Sequence, residues 1–270
     1  NKKKPLINKP LAGLYPPGST IKPVVALSAL ENDVFSTKKI VECKGSIELY
    51  GQTYHCWKEK GHGFMNMRSA IKQSCDVYFY EVSRRLGIDR LSITAKQFGL
   101  GKKTFNNLFE NEKNGLIPNT LWKKNALGRN WLLGETIITG IGQGYIQTTP
   151  IQLCLMTAQL ANGGYKIYPK IVLDRNQESL EEIKLKMKKK TETNEDDRKS
   201  RFDSEIFFDD DSKKYTALYR NKENVNFVLN AMFRSTNEVY GTSFSSRIED
   251  PKYQFAGKTG TAQVKRITEA

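Results

Sequence analysis

No apolar run in these 270 residues approaches the roughly 18–20 residues needed to cross a bilayer. The best, Val24–Leu30, is short and interrupted by Ser28. The opening Asn1-Lys-Lys-Lys-Pro5 has no apolar segment behind it and does not read as a signal peptide. Cysteine is scarce at four residues and histidine scarcer at two, so this is not a small disulfide-stapled domain. A chain of this length can bury a core without staples, and corresponds to one large domain or two small ones. Acid is in deficit, with 29 Asp and Glu against 43 Lys and Arg, a formal charge of +14. Such an excess can announce a nucleic-acid or anionic-surface binder. Here it is dispersed, and its densest block, Lys184–Lys190, stands beside an equally acidic stretch. Aromatic-interleaved basic faces and RNA- or DNA-binding motifs are missing, so the charge reads as a lysine-rich solvated surface and no nucleic-acid partner is expected.

What is present alternates between helix and strand signals. Pro23–Glu31 is apolar almost all round, which suits a helix buried inside the molecule. Arg68–Leu86 reads as one continuous helix closed by Arg84-Arg85 and Gly87. Thr149-Pro150 opens a third, carrying Ile151, Leu153, Leu155, Met156 and Leu160 to the stop at Asn162-Gly163-Gly164, with Cys154 expected in the core. Glu223–Arg234 is a fourth. Strands are expected at Ser46–Tyr54, Tyr165–Leu173 and Tyr253–Val264. Residues Asn176–Lys214 form an apolar-poor, mixed-charge insertion that reads as a mobile loop, with a short helix near Leu180–Lys190. The fold class is α/β in the α+β sense, helix-rich in the middle with strands mostly late.

Serine followed three residues later by lysine occurs at Ser19, Ser36 and Ser69, three hits among sixteen serines. Context separates them. Ser36 sits in a polar turn, and Ser69 lies inside the continuous helix. Ser19 follows Pro16-Pro17-Gly18 and precedes the buried helix, whose Pro23 places the helix start no earlier than about Ser19. Free amides and the helix dipole there favour developing negative charge. Lys22 projects one turn later from the same face, and an amine held in apolar surroundings can lose its proton and accept that of a serine. An ordinary capped helix with a snorkelling lysine fits the same geometry. Lys258-Thr259-Gly260 occurs once, in a small-residue run expected to be an edge strand able to take an extended peptide. Lys258 would meet a substrate carboxylate, with the Thr259 and Thr261 hydroxyls beside it. Ser74, near mid-helix where serine is neutral at best, suits a polar role.

Ser-x-x-Lys at Ser19, the Ser74-Cys75-Asp76 triplet and Lys258-Thr259-Gly260 together resemble the ordered motifs of the penicillin-recognising acyl-serine transferases. The surrounding text resembles the elongation-type class B penicillin-binding proteins (penicillin-binding protein 2). The segments that carry this are Leu14–Pro23, Trp57 with Gly61-His62-Gly63, Gln73–Tyr80, Leu133–Thr136, Gly140–Gly144 with Thr149-Pro150, and Ala256–Gln263. The likeness spans nearly the whole chain outside the charged insertion. It implies a transpeptidase fold, a helical subdomain with an antiparallel sheet, over residues 1–270 as a single domain. Because the chain begins eighteen residues before Ser19 and ends ten after Gly260, the resemblance implies flanking strands beyond both ends. It further implies a peptidoglycan D,D-transpeptidase of cell elongation and shape. Ser19 would attack the stem peptide between its terminal D-alanines, with Lys22 as base and Ser74 relaying the proton to the leaving amine. The backbone amides of Ser19 and Thr261 would form the oxyanion hole. Lys258, Thr259, Gly260 and Thr261 would bind substrate, together with Asp76, which stands where the family usually has Asn. β-Lactams would acylate the same serine. A membrane glycosyltransferase and elongation-complex proteins are the implied partners. The implied location is the periplasmic side of the bacterial inner membrane, by an N-terminal anchor outside this sequence. A β-lactam sensor, a D,D-carboxypeptidase or a β-lactamase would carry the same motifs. The 184 residues from Ser74 to Lys258 are more chain than a compact hydrolase needs, although Glu110 or Glu135 could serve such an enzyme as deacylating base.

Cys43, Cys56 and Cys75 fall with both histidines, His55 and His62, inside 33 residues. Cys43, Cys56, His62 and Cys75 would make a closed Cys₃His set, the pattern of a structural zinc, with His55 the substitute for His62. Such a metal would clamp the 43–62 excursion onto the segment bearing Ser74 and Asp76. The set is similar to a zinc site found in some members of the resembling family. The same cysteines could instead pair as disulfides in an oxidising periplasm, or serve as small buried hydrophobes.

Overall fold

The computed structural model describes residues 7–105, 108–171 and 216–261. The charged insertion, with its expected loop and helix, lies outside these residues, as do the ends of the two later strand predictions.

The chain enters through α1 (Lys9–Ala12) and a 3₁₀ turn (Gly18–Ile21) that runs directly into α2 (Lys22–Glu31). Every residue of α2 is buried. A helix apolar on all sides must be surrounded, and it is: α4 (Asp76–Leu86), α5 (Ile88–Gln97) and α9 (Lys222–Asn237) pack around it. Val24, Val25 and Leu27 meet Phe79, Val82, Leu91, Val228 and Ala231 in one core. The one hydroxyl inside α2, Ser28, is matched by Thr94 Oγ1 at 2.8 Å. α8 (Pro150–Ala161) starts as expected, with the Thr149 hydroxyl and the Gln152 side chain forming a capping box. Cys154, however, is exposed rather than core, because the buried side of α8 is set by Gln152, Leu155, Met156, Gln159 and Leu160.

Several further expectations are corrected. The continuous helix over Arg68–Leu86 is two helices, α3 (Met67–Lys72) and α4, broken at Gln73-Ser74-Cys75, where Ser74 takes φ +55°. Neither glycine nor proline marks this break; tertiary hydrogen bonds described below hold it. Ser69 accordingly sits in the first turn of α3, in a capping box with Asn66. Ser46–Tyr54 is a hairpin rather than one strand. β2 (Ser46–Leu49) pairs antiparallel with β3 (Gln52–His55) across Tyr50-Gly51, both at positive φ, the twist a two-residue hairpin turn demands. β1 (Val41–Cys43) pairs with β4 (Gly63–Met65), so the strands among the described residues come early, not late. Tyr165 joins Ala217 in an isolated bridge rather than a strand ladder. Residues 254–261 are extended with no ladder partner among the described residues. The remaining helices are α6 (Thr120–Leu127) and α7 (Leu133–Thr139). No helix among the described residues is long and apolar enough to cross a membrane.

Glu31, buried at the end of α2, accepts from the backbone N–H groups of Arg220 and Asn221 and from Asn224 Nδ2 at 2.7 Å. It thereby seats the start of α9 on the central helix. Glu31→Ala leaves these buried donors unpaired and is expected to lower stability by about 2–3 kcal/mol, read as a lower urea midpoint at unchanged slope.

Candidate active site

Segments distant in sequence meet in one cavity of about 950 Å³, lined among others by Ser19, Trp57, Ser74, Asp76, Gln143, Thr259, Gly260 and Thr261. Glycine makes the closure possible at two places. A Cβ on Gly142 would stand 2.1 Å from the Gly18 carbonyl oxygen, and the Gly18 N–H donates to the Gly142 carbonyl at 2.9 Å. A Cβ on Gly260 would stand 2.5 Å from Thr20 Cγ2. The 140–144 loop and the Lys258-Thr259-Gly260 run therefore both press against the turn that carries Ser19. That run is fixed from outside a sheet. Gly257 N donates to the Met232 carbonyl, Asn237 Nδ2 to that of Phe255 and Gln143 Nε2 to that of Thr261. Thr259 Oγ1 donates to Thr242 Oγ1 at 2.7 Å.

Lys22 is wholly buried, and its amine reaches the Asp76 carboxylate at 2.7 Å, the Ser74 carbonyl at 2.9 Å and the Ser74 hydroxyl at 3.3 Å. Those three acceptors match the three donors of an ammonium. Sequence spacing points Lys22 at Ser19; the structure ties it across to the middle motif instead. Asp76 is likewise engaged inward: Lys22 holds one oxygen and the Trp57 N–H donates to the other at 2.9 Å. Lys258 Nζ donates to the Ser74 hydroxyl at 2.7 Å and to the Thr259 carbonyl at 2.9 Å. The pKa of Lys258 is depressed. Burial, reinforced by the nearby Lys22 charge and only partly offset by Asp76, brings it down to about 7.

Directly behind this cavity the ligand atoms of Cys43, Cys56, His62 and Cys75 lie within 4.8 Å of one another. His62 Nδ1 is 3.5 Å from both the Cys43 and Cys56 sulfurs. Bond lengths of about 2.3 Å to sulfur and 2.0–2.1 Å to nitrogen put tetrahedral zinc ligands roughly 3.6 Å apart, so these separations suit that ion. The neighbouring Cys75 sulfur holds the Cys56 thiol far below the usual range, and Cys56 together with burial pushes Cys75 up. The Asp76 N–H also points to the Cys56 sulfur, at 3.4 Å. All four cysteines are free thiols, and His55 lies outside the cluster, on the cavity wall.

The penicillin-binding protein transpeptidase domain matches residues 1–269. The chain belongs to that family. Among curated transpeptidase relatives, it is 35% identical to the peptidoglycan D,D-transpeptidase MrdA of Acinetobacter baumannii over 98% of its length, and 35% identical to MrdA of Salmonella typhimurium over all of it. It spans 35% and 39% of those two proteins. Among solved transpeptidases, PBP2 of Pseudomonas aeruginosa in complex with WCK 5153 matches at a TM-score of 0.76 and 35% identity, over 98% of this chain and 54% of that one. PBP2 of Helicobacter pylori in complex with MreC matches at 0.76 and 30%, over 96% and 42%. These likenesses bear out the mixed helical and antiparallel fold class. Within the transpeptidase cavity, the sequence singled out neither Thr242 nor Gln143. Thr242 lies in no motif, whereas Gln143 falls in the Gly140–Gly144 text, whose glycines mark a close backbone approach.

Folding disfavours the charged form of Lys258, a penalty that applies wherever the unfolded lysine is protonated. Its native pKa is lowered to about 7, so the penalty is complete below that pH and fades as pH rises toward the usual 10.5. Lys258→Met is therefore expected to raise the melting temperature at pH 6 by about 2–4 °C, and by less at pH 9.5. An equal gain at both would contradict the shift.

Proposed function

We propose that this chain, as a single domain, is the acyl-transferring part of a peptidoglycan D,D-transpeptidase that cross-links stem peptides during cell elongation and is acylated by β-lactams. The observation that carries this reading is the convergence of Ser19, Ser74 and Thr259-Gly260-Thr261 on one cavity, with Lys22 and Lys258 both bonded to the Ser74 hydroxyl. Ser19 attacks the carbonyl between the terminal D-alanines. With Lys22 as the neutral amine, the Ser19 proton passes to Lys22 Nζ and, through the Ser74 hydroxyl, to the leaving D-alanine nitrogen as the C–N bond breaks, which returns Lys22 to the neutral form. The Ser19 and Thr261 amides receive the oxyanion, the first aided by the helix start. Lys258, Thr259 and Thr261 hold the donor's terminal carboxylate. Asp76 acts in this scheme by fixing Lys22, not by touching substrate. An amine from a neighbouring stem peptide then takes the acyl group and regenerates Ser19.

The anchored, periplasmic location and an elongation assembly with a glycosyltransferase belong to the same proposal; the Helicobacter pylori relative complexed with MreC supports such partners. Structural zinc on Cys43, Cys56, His62 and Cys75 completes it. No cofactor is needed for acyl transfer in this family, so the ion would fold the 43–62 segment against Ser74 and Asp76.

In the full-length protein, fluorescent penicillin is expected to form an adduct that maps by mass to Ser19, persists for many minutes and is absent in Ser19→Ala. Labelling that survives this change refutes the nucleophile, and rapid turnover points to a hydrolase. Elemental analysis is expected to find about one zinc per chain. Cys75→Ser should lose it and melt several degrees lower, on the order of 2 °C or more per kcal/mol lost. A metal-free protein with the same melting temperature counts against the ion.

A further inference from the structure

Trp57 is an exposed residue with an inward-facing job. Its side chain lines the cavity and 58% of the residue is open to solvent, so it adds little to the core. Yet all its polar groups that donate are spent on the middle motif. The backbone N–H donates to Asp76 Oδ2 at 2.9 Å. The indole Nε1–H donates to the Ser74 carbonyl at 3.0 Å and to the Gln73 carbonyl at 3.2 Å. Ser74 is a non-glycine residue at φ +55°, a conformation that persists only where surroundings over-determine it. Its carbonyl is caught between two donors, Lys22 Nζ from the buried side and the Trp57 indole from the open side. The neighbouring Cys56 sulfur takes the Asp76 N–H, and the Trp57 ring stands edge-on to His62 at 5.3 Å. One dipeptide thus ties the cysteine–histidine cluster to both polar members of the Ser74–Asp76 turn.

The geometry points to Trp57 as a positioning residue for acyl transfer: its indole N–H holds the Ser74 peptide in the left-handed turn that aims the Ser74 hydroxyl at Lys22 and Lys258. The inference rests on the proposed acylation of Ser19. Trp57 touches none of the reacting atoms, so its loss changes the rate of the bond-making step and leaves the affinity of the preceding encounter alone. Breaking one such hydrogen bond in the reacting arrangement corresponds to a rate loss of about tenfold.

The test is saturation kinetics of acylation by a fluorescent penicillin on the full-length protein. In Trp57→Phe the limiting acylation rate is expected to fall about tenfold, with the half-saturating concentration within about twofold and melting temperature and zinc content unchanged. A second variant carries β-(3-benzothienyl)alanine at position 57, which keeps the bicyclic shape and lacks only the N–H, and is expected to show the same loss. An unchanged limiting rate in the benzothienyl variant overturns the inference. A weakened half-saturation with intact rate does so too, since it would make Trp57 a wall for ligand and nothing more. Ser19→Ala run alongside separates this from the underlying reading: a slow adduct on Ser19 in the Trp57 variants tests the indole, whereas labelling of Ser19→Ala removes the reaction itself.

Discussion

The buried Lys22 amine is the point on which the arrangement turns. It lies in the first turn of a helix with no exposed residue, yet its three acceptors all come from residues 74 and 76, more than fifty positions away. Removing either partner of such a buried pair strands the other, at a cost of about 3–5 kcal/mol. The contact therefore fixes where α4 begins relative to α2, and with it the position of Ser74. Lys258 then arrives at a hydroxyl already engaged by a neighbouring amine. Burial of Lys258, with the Lys22 charge nearby and a single carboxylate only partly offsetting it, accounts for the depressed pKa of Lys258. A bound carboxylate would supply the charge that Asp76, committed to Lys22 and Trp57, does not.

Irregular backbone is concentrated around the same cavity. Gly18, Ser74 and Gly142 all take positive φ, and the close approaches of Gly142 to Gly18 and of Gly260 to Thr20 leave no room for a side chain. Regular helices surround these points. The division is physical: a helix supplies rigid support but satisfies its own backbone groups, whereas a turn leaves carbonyls and N–H groups free to be aimed. α2 and α9 carry the core, and the turns at 18, 74 and 142 gather with the run at 258–261 around the cavity.

How much of this was legible follows from what each segment depends on. α2 was readable because burial on every side leaves an unbroken apolar signature, and α8 because Thr149, Pro150 and Gln152 spell a helix start locally. The convergence of Ser19 with Lys258 was reachable only through motif resemblance, since no local pattern encodes a contact across 239 positions. The break at residues 73–75 was hidden. Arg68–Leu86 has helical composition throughout, and the turn is held by Lys22 and Trp57, neither nearby in sequence. Tyr50-Gly51 concealed a hairpin because tyrosine rarely takes positive φ. Residues 254–261 look like a strand because Phe255, Thr259 and Thr261 are strand-favouring types, but a strand also needs a ladder partner. Here their N–H and carbonyl groups meet α9 and the Gln143 side chain.

The acidic residue at position 76 follows from the same geometry. Two donors converge on its side chain, the Lys22 amine on Oδ1 and the Trp57 N–H on Oδ2. An asparagine offers one acceptor and one donating NH₂ group, so in either orientation it would set a donor against a donor inside a buried site. A carboxylate satisfies both at once and balances the amine's charge. The resemblance alone makes Asp76 a departure from an amide that contacts substrate. Its surroundings make it the residue that the Cys56-Trp57 segment and Lys22 jointly require, with one oxygen on the Trp57 N–H and the other on the amine that faces Ser74.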